Sequence, residues 1–155
     1  MLTACPIRLA GAADAGDIAR LSREAIEYGL AWSWTPRRVM ASLRDAATNG
    51  IVARDAGGLQ GFALMSYGED EAHLLLLAVN AARRRSGIGS ALLQWLETTA
   101  QVAGIRSLHL ETRQRSSAAR AFYRRHGFAE TAQLAGYYQG MEDAVRMVKH
   151  LGPRP

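Results

Sequence analysis

Apolar residues recur along this chain with two different spacings, and the change of spacing separates predicted helices from predicted strands. Two stretches in the first third of the chain repeat every three or four residues, as a helix with one buried face requires. The first helix should begin at the Asp14 cap and stop at Gly29. The second should begin at Pro36, since proline suits the first helical position, and run to the stop at Asn49-Gly50.

Short apolar runs between glycines and polar residues predict strands, and two more helical patterns interrupt them. The predicted strands cover 7–10, 51–55, 59–67, 72–79, 107–111, 128–134 and 143–151, and the further helices cover 87–103 and 117–125. Because 72–79 is aliphatic almost throughout, we expect it to be buried on both faces. This order of elements predicts one α/β domain with a mixed sheet over 1–151, followed by a loose tail at 152–155.

Composition and charge narrow the class of protein. The chain has 155 residues and is 48% hydrophobic and 21% charged, which is typical of a folded domain. Its formal net charge is +5, an excess that favours an anionic partner but does not separate nucleic acid, acidic lipid and a phosphorylated cofactor. Cys5 is the single cysteine, so we expect a reducing compartment. With no signal-like or membrane-spanning pattern, the prediction is a cytoplasmic protein.

The segment 83–90, RRRSGIGS, joins the aliphatic strand to the long helix and has the composition of an anion site. Free N–H groups in a first helical turn point outwards with the positive end of the helix dipole. Gly87 and Gly89 let a bulky anion approach the backbone, and the arginines add charge. A solvated loop explains the residues equally well. The spacing fits neither a Walker loop nor the G-x-G-x-x-G fingerprint, so another phosphate carrier is expected.

Several motifs taken together resemble the GNAT acetyltransferase superfamily. RRSGIG (84–89) matches its R/Q-x-x-G-x-G/A pattern, and LHLET (108–112), AFYRRHGF (121–128) and GYYQGMEDAVRM (136–147) follow in the order of the RimI-type branch, the bacterial ribosomal-protein N-terminal acetyltransferases. The similarity covers roughly the second half of the chain. It implies a GNAT-like single domain, with a mixed, mostly antiparallel sheet of about seven strands flanked by about four helices. It also implies acetyl-CoA as cosubstrate.

The resemblance implies cosubstrate contacts at the strand end, the loop and the helix start. The implied cofactor-binding residues are Leu77, Ala78, Val79, Arg84, Arg85, Ser86, Gly87, Ile88, Gly89, Ser90 and Ser116. At the strand end a bulge commonly frees backbone groups for the pantetheine and the acetyl oxygen. Ser116 replaces an asparagine common in the family and reaches less far. Which of Arg83, Arg84 and Arg85 contacts phosphate is left open.

The resemblance assigns the proton transfers to Glu111 and Tyr123. Strand alternation puts Glu111 on the face opposite Leu108 and Leu110, and the RimI-type glutamate here is the proposed general base, commonly working through water. An ion pair with an arginine is the alternative role. Tyr123 is the implied acid for the leaving thiolate, and Phe122 is expected to be the better core residue. The alternative is that both aromatics are core.

Two aromatic pairs are candidates for the acceptor pocket. Trp32 and Trp34 lie between the first two helices, where the superfamily builds one wall. Tyr137 and Tyr138 lie in the connection before the last strand, which forms the opposite wall in RimI-type enzymes and holds an incoming peptide N-terminus. Either pair could instead only shield apolar surface. The four histidines lack metal-ligand spacing, so no metal is expected.

The leading hypothesis is an N-acetyltransferase that moves an acetyl group directly from acetyl-CoA to a primary amine. A protein N-terminal α-amine of the ribosomal-protein type is the leading acceptor, and a small-molecule amine or a lysine is the alternative on the same fold. A CoA-binding or nucleic-acid-binding module without catalysis would use the same arginines, but it would not require Glu111 and Tyr123. We therefore expect neither a nucleic-acid partner nor a membrane partner.

Overall fold

The computed structural model describes residues 5–152, and this part of the chain contains seven strands and four α-helices. The strands are β1 (Ile7–Leu9), β2 (Thr48–Asp55), β3 (Gly58–Tyr67), β4 (Glu71–Val79), β5 (Ser107–Arg113), β6 (Ala129–Tyr138) and β7 (Glu142–His150). The helices are α1 (Ala15–Ala25), α2 (Pro36–Arg44), α3 (Ile88–Val102) and α4 (Ser117–Arg125). Of the predicted tail, Gly152 is exposed, and 153–155 lie outside the described residues.

The seven strands form one sheet in the order β1-β2-β3-β4-β5-β7-β6. The pairs β1–β2, β2–β3, β5–β7 and β6–β7 are antiparallel, whereas β4 and β5 are parallel. A parallel pair needs a crossover connection, and α3 is the helix in that connection. The predicted α/β fold with a mixed, mostly antiparallel sheet is confirmed.

The chain divides into two compact units, and the described part of the first unit covers 5–66 and 75–98. Its core is closed by side chains with no exposed surface, among them Ile18 of α1, Val39 of α2 and Phe62 of β3. The β3 residue Gly61 allows a close approach of α3, since a Cβ there would lie 3.0 Å from Ile88 Cγ2. Helix α3 is thereby held against β3 at its first turn.

The described part of the second unit covers 67–74 and 99–152. Leu108 and Leu110 of β5 and Met147 of β7 are almost fully buried there. Because side chains alternate along a strand, this burial leaves His109 and Glu111 together on the other face of β5. The predicted alternation of β5 is confirmed.

Both early helices are shorter than predicted. Helix α1 ends at Ala25 and does not reach Gly29, because the carboxylate of Glu27 turns to accept hydrogen bonds from the following loop. Helix α2 ends at Arg44, and Gly50 lies inside β2 rather than at a helix stop. A Cβ on Gly50 would lie 2.4 Å from Leu43 Cδ2, so this glycine serves close packing.

Two strands also differ from their predictions. Strand β4 alternates between buried and half-buried residues and is not buried on both faces, since its odd-numbered positions retain solvent exposure. Strand β6 runs on to Tyr138, so Tyr137 and Tyr138 lie at a strand end and not in a loop. The turn follows them, where Gln139 and Gly140 have positive φ.

Candidate active site

The arginine loop, residues 83–90, connects a 3-10 turn after β4 to helix α3. Two of its residues have positive φ, Arg85 at 64° and Gly87 at 87°. Positive φ is uncommon for a residue with a Cβ, so the geometry around Arg85 is imposed by the loop. Among residues 5–152, no backbone acceptor lies within hydrogen-bond distance of the N–H groups of Arg85, Ser86 and Gly87. These donors precede the first turn of α3 and are available to an anion.

The three arginines of the loop have different environments. Arg83 Nη1 lies 2.5 Å from Asp55 Oδ2 of β2, and the Ser86 hydroxyl donates to the Arg83 carbonyl. Arg84 and Arg85 are exposed, and neither has an ion-pair partner in the part of the chain that the structure describes. Arg83 therefore anchors the loop, and the guanidinium groups of Arg84 and Arg85 are left without an ion-pair partner among residues 5–152.

This loop fits the pyrophosphate of a coenzyme A molecule. A diphosphate needs several convergent donors and positive charge, and the loop offers backbone N–H groups, a helix N-terminus and two unpaired guanidinium groups. Gly87 is exposed, so its backbone is open to a bulky group. For the other residues implied to contact the cosubstrate, the structure gives the position in the fold. The last three residues of β4 are Leu77, Ala78 and Val79, and the first three of α3 are Ile88, Gly89 and Ser90. Ser116 is the N-cap residue of α4 but makes no capping bond with its side chain.

A polar cluster in the second unit surrounds Glu111, and we call it the Glu111 cluster (His73, Glu111, Tyr137 and Arg146). Glu111 Oε1 lies 2.6 Å from His73 Nε2 of β4 and accepts a hydrogen bond of 3.2 Å from the Tyr137 hydroxyl. Glu111 Oε2 accepts a hydrogen bond of 3.0 Å from Arg146 Nε, which faces it across the β5–β7 pair. The Glu111 side chain is only 7% exposed, whereas those of His73 and Arg146 are about two-fifths exposed.

The cluster keeps Glu111 ionised. Burial by itself raises the pKa of the Glu111 carboxyl, but the hydrogen bond and charge of His73, followed by the hydrogen bonds of Arg146 and Tyr137, outweigh burial and lower that pKa to about 2. The alternative role, an ion pair with an arginine, is present as the pair with Arg146, and the role of general base stays a prediction. Glu111 is a well-held anion with little intrinsic basicity.

Tyr123 and Tyr138 lie in the same unit as the cluster. Tyr123 is 8% exposed and packs edge-on against Phe122 and Phe128. The expectation that Phe122 is the better core residue was wrong, since Phe122 remains half-buried on α4. Burial raises the pKa of the Tyr123 phenol, so that it holds its proton. Burial likewise raises the pKa of Tyr138, which interacts electrostatically with Tyr137, Glu111 and Tyr123.

The predicted tryptophan wall lies in the first unit and is held by a buried carboxylate. Glu27 is 6% exposed, and its two oxygens accept hydrogen bonds from the backbone N–H groups of Ser33 and Trp34 at 3.0 and 2.9 Å. Arg23 stacks over Trp32 and Arg38 over Trp34, with the guanidinium carbons 5.0 and 3.9 Å from the ring centroids. Trp34 also packs against the core of this unit, whereas Trp32 is 36% exposed.

Sequence reasoning missed three residues that organise these regions: Glu27, His73 and Arg146. His73 lies between Ala72 and Leu74 in β4, and Arg146 lies between Val145 and Met147 in β7. A polar residue flanked on both sides by apolar ones was the available signal for both. The pairing of these two residues with Glu111 was not visible, because it depends on the register between β4, β5 and β7.

A comparison with known protein families identifies the family of this chain. The family model described as "Acetyltransferase (GNAT) domain" matches residues 46–130. The chain belongs to the GNAT acetyltransferase family. A curated GNAT relative, the [ribosomal protein bS18]-alanine N-acetyltransferase of Escherichia coli, is 37% identical over 94 residues. That alignment covers 59% of this chain and 64% of the relative, so less than two thirds of the relative's length is matched.

Two solved structures resemble almost the full length of this chain. Ard1 from Thermoplasma volcanium superposes with a TM-score of 0.84 at 28% identity, covering 96% of this chain and 98% of that one. The ribosomal-protein-S18-alanine N-acetyltransferase from Escherichia coli superposes with a TM-score of 0.82 at 27% identity, covering 97% and 96%. The predicted resemblance to the GNAT superfamily and its RimI-type branch is confirmed by these matches.

Two features are absent from residues 5–152. None of the helices there combines the length and the apolar character that crossing a membrane requires. No three side chains of His, Cys, Asp or Glu in that range are arranged to hold a metal ion. The expectation of a metal-free reaction stays a prediction.

Proposed function

We propose that this GNAT protein is an N-acetyltransferase that moves an acetyl group from acetyl-CoA directly to a primary amine, with the α-amine of a protein N-terminus as the leading acceptor. The observation that carries the proposal is the Glu111 cluster, an ionised carboxylate with a neighbouring imidazole on a GNAT fold. The relatives named for acetylating the alanine of ribosomal protein bS18 support a protein N-terminus as the acceptor. A binding module without catalysis has no use for such a cluster.

The roles of the residues follow from their chemistry. Acetyl-CoA, when bound, supplies an acetyl group activated as a thioester. We assign its diphosphate to the arginine loop, where Arg84, Arg85 and the backbone N–H groups of 85–87 are available. Tyr123 holds its proton firmly and is the proposed donor to the leaving thiolate.

The proton of the acceptor amine requires a base, and the cluster offers a pair rather than a single residue. Glu111 is a weak base because three donors stabilise its anion. Because an ionised carboxylate can only accept, His73 donates its Nε2–H to Glu111 Oε1. In the neutral form of His73 the lone pair then lies on Nδ1. We propose that Glu111 holds the amine and orients His73, and that His73 takes the proton, directly or through water.

The peptide acceptor is supported by the tyrosines at the end of β6. Tyr137 is 45% exposed and donates its hydroxyl hydrogen bond to Glu111, so an acceptor that reaches Glu111 also meets this ring. Tyr138 stacks edge-on against Tyr137 with ring centroids 5.0 Å apart. Trp32 and Trp34 remain proposed as a second acceptor wall. A cytoplasmic location, expected from the single cysteine and from the lack of a signal-like or membrane-spanning pattern, also stays a prediction.

An acceptor screen with acetyl-CoA tests the proposal. The full chain is incubated with peptides that carry a free N-terminus, with internal-lysine peptides and with small amines, and thiol release and product mass are measured. We expect turnover of the N-terminal peptides. Tyr123→Phe should lower kcat by roughly 10²-fold, as loss of a general acid does, while the calorimetric Kd for CoA stays unchanged.

Tyr67→Phe is the matched control, since Tyr67 ends β3 outside the proposed machinery. It should keep the kcat of the parent protein. Unchanged turnover in Tyr123→Phe would remove the acid assignment, and an absence of turnover with every acceptor class would refute the enzyme.

A further inference from the structure

Arg146 has hydrogen-bond donors that the Glu111 cluster does not use. Its Nε donates to Glu111 Oε2, and 41% of its side chain is exposed. Among residues 5–152, no acceptor lies within hydrogen-bond distance of its two terminal nitrogens. A guanidinium carries five N–H donors in a planar fork, and the donors on the terminal nitrogens match the two oxygens of a carboxylate.

Glu111 has room for one more donor on the side of Arg146. A carboxylate accepts about four hydrogen bonds. Among residues 5–152, Glu111 Oε1 receives the hydrogen bonds of His73 and Tyr137, whereas Oε2 receives only that of Arg146. An acceptor ammonium that donates to Oε2 therefore lies beside the exposed guanidinium of Arg146.

From this arrangement we propose that Arg146 selects acceptors that carry a carboxylate close to the reacting amine. The ammonium of such an acceptor donates to Glu111 Oε2, and its carboxylate accepts from the terminal nitrogens of Arg146. An acceptor with a cationic side chain in that place is disfavoured by like charge. The inference rests on the proposed acetylation of amines and adds the chemical class of the acceptor.

The carboxylate can come from two sources that share this chemistry. It can be the side chain of an acidic first residue in a polypeptide, or the α-carboxylate of a free amino acid. In both, only a few bonds separate the carboxylate from the amine. A peptide with an acidic first residue and a free amino acid are therefore both included in the test, each with its uncharged counterpart.

The experiment compares kcat/KM for peptides that are identical except for Asp, Asn or Lys at the first position, and for glycine against glycinamide. The parent protein should prefer the Asp peptide to the Asn peptide by about tenfold, the range expected for one charge-assisted hydrogen-bonded contact. The Lys peptide should be the poorest of the three. A preference for glycine over glycinamide would identify free amino acids as the source instead.

Variants of Arg146 separate its proposed recognition of the acceptor carboxylate from its hydrogen bond to Glu111. Arg146→Gln should bring the Asp to Asn ratio close to one, and because both peptides use Glu111, any general loss of activity cancels in that ratio. Arg146→Lys keeps the charge without the fork and should retain part of the preference. Arg125→Gln removes an exposed arginine at the end of α4 and should keep the full ratio.

The failures of the two proposals can be told apart. Turnover of the peptides with no preference for the charged acceptor in either pair would overturn the role of Arg146 and leave the proposed function intact. A ratio that persists in Arg146→Gln would also overturn it. An absence of turnover with all acceptors would overturn the proposed function and the inference together.

Discussion

At the scale of the residue, Glu111 shows how its neighbours decide what a carboxylate can do. A glutamate that acts as a base near neutral pH needs its pKa raised, usually by an apolar site. Burial acts in that direction on Glu111, but His73, Arg146 and Tyr137 reverse it and hold its pKa at about 2. Any loss of activity between pH 8 and pH 5 therefore has to come from a group other than Glu111.

His73→Gln tests whether His73 takes the proton of the acceptor amine. Glutamine can still donate an N–H to Glu111, but it has no ring nitrogen that takes a proton, so kcat should fall by roughly 10²-fold. The kcat with an N-terminal peptide is the measurement, and the calorimetric Kd for CoA should stay that of the parent protein, since His73 lies outside the arginine loop.

His109→Gln is the control for this variant, since His109 bonds the Ser107 hydroxyl at 2.9 Å and is outside the Glu111 cluster. It should keep the kcat of the parent protein. If His73→Gln also keeps that kcat, Glu111 acts by itself through water and His73 takes no part in the proton transfer.

At the scale of the element, a network of charges ties the first strand, the first helix and β2 together. Asp14 precedes α1 and is 3% exposed; its carboxylate accepts hydrogen bonds from Arg8 of β1 at 2.9 Å and from Arg54 of β2 at 2.8 Å. Arg54 also reaches Asp17 of α1 at 2.7 Å. Burial raises the pKa of Asp14, but the hydrogen bonds from Arg8, Gly11 and Arg54 outweigh it and lower the pKa to about 2.

Asp14→Asn should destabilise the protein by roughly 2 kcal/mol at pH 7, as estimated from a carboxyl whose pKa falls from 3.8 to about 2 on folding. The folded pKa lies below the unfolded one, so this stability is present above pH 4 and is lost as the pH falls towards 2. Urea unfolding of both proteins at pH 7 and pH 3 measures it, and the gap should narrow at pH 3.

Asp45→Asn serves as the comparison, because Asp45 is exposed at the end of α2 and its bond to the Ala47 N–H is kept by asparagine. It removes the same charge and should cost little. Equal destabilisation by both variants would mean that net charge, and not the buried network, is responsible.

The elements also show which features the sequence could predict. Periodicity found the strands and helices, and the alternation of Leu108, Leu110 and Glu111 gave the correct faces of β5, because each depends only on neighbours in the chain. The role of Gly50 was misjudged, since a glycine that stops a helix and one that permits close packing look alike in sequence. The partners of Glu111 depend on strand register, which one chain does not reveal.

At the scale of the whole molecule, the formal net charge of +5 creates an attractive field for any polyanion. Acetyl-CoA carries several phosphate charges, so its affinity should fall as salt rises whichever arginines it touches. The effect of the net charge on the affinity therefore has to be separated from the effect of individual arginine contacts. The arginine run allows this, because its members carry the same charge but differ in environment: Arg83 is paired with Asp55, whereas Arg84 and Arg85 are exposed.

The double variant Arg84→Gln and Arg85→Gln should weaken CoA binding by about tenfold at low salt and flatten the dependence of log Kd on log salt, since two contacts that neutralise phosphate are lost. Arg83→Gln removes one charge from the same run but breaks a bond to β2. It should lower Tm and leave the salt slope close to that of the parent protein, since no contact with phosphate is lost. Calorimetry between 50 and 500 mM salt (about 14 to about 4 Å of Debye length) covers the range in which such contacts are screened. A loss of affinity in Arg83→Gln as large as in the double variant would show that the field of the whole run, and not two placed side chains, holds the phosphates.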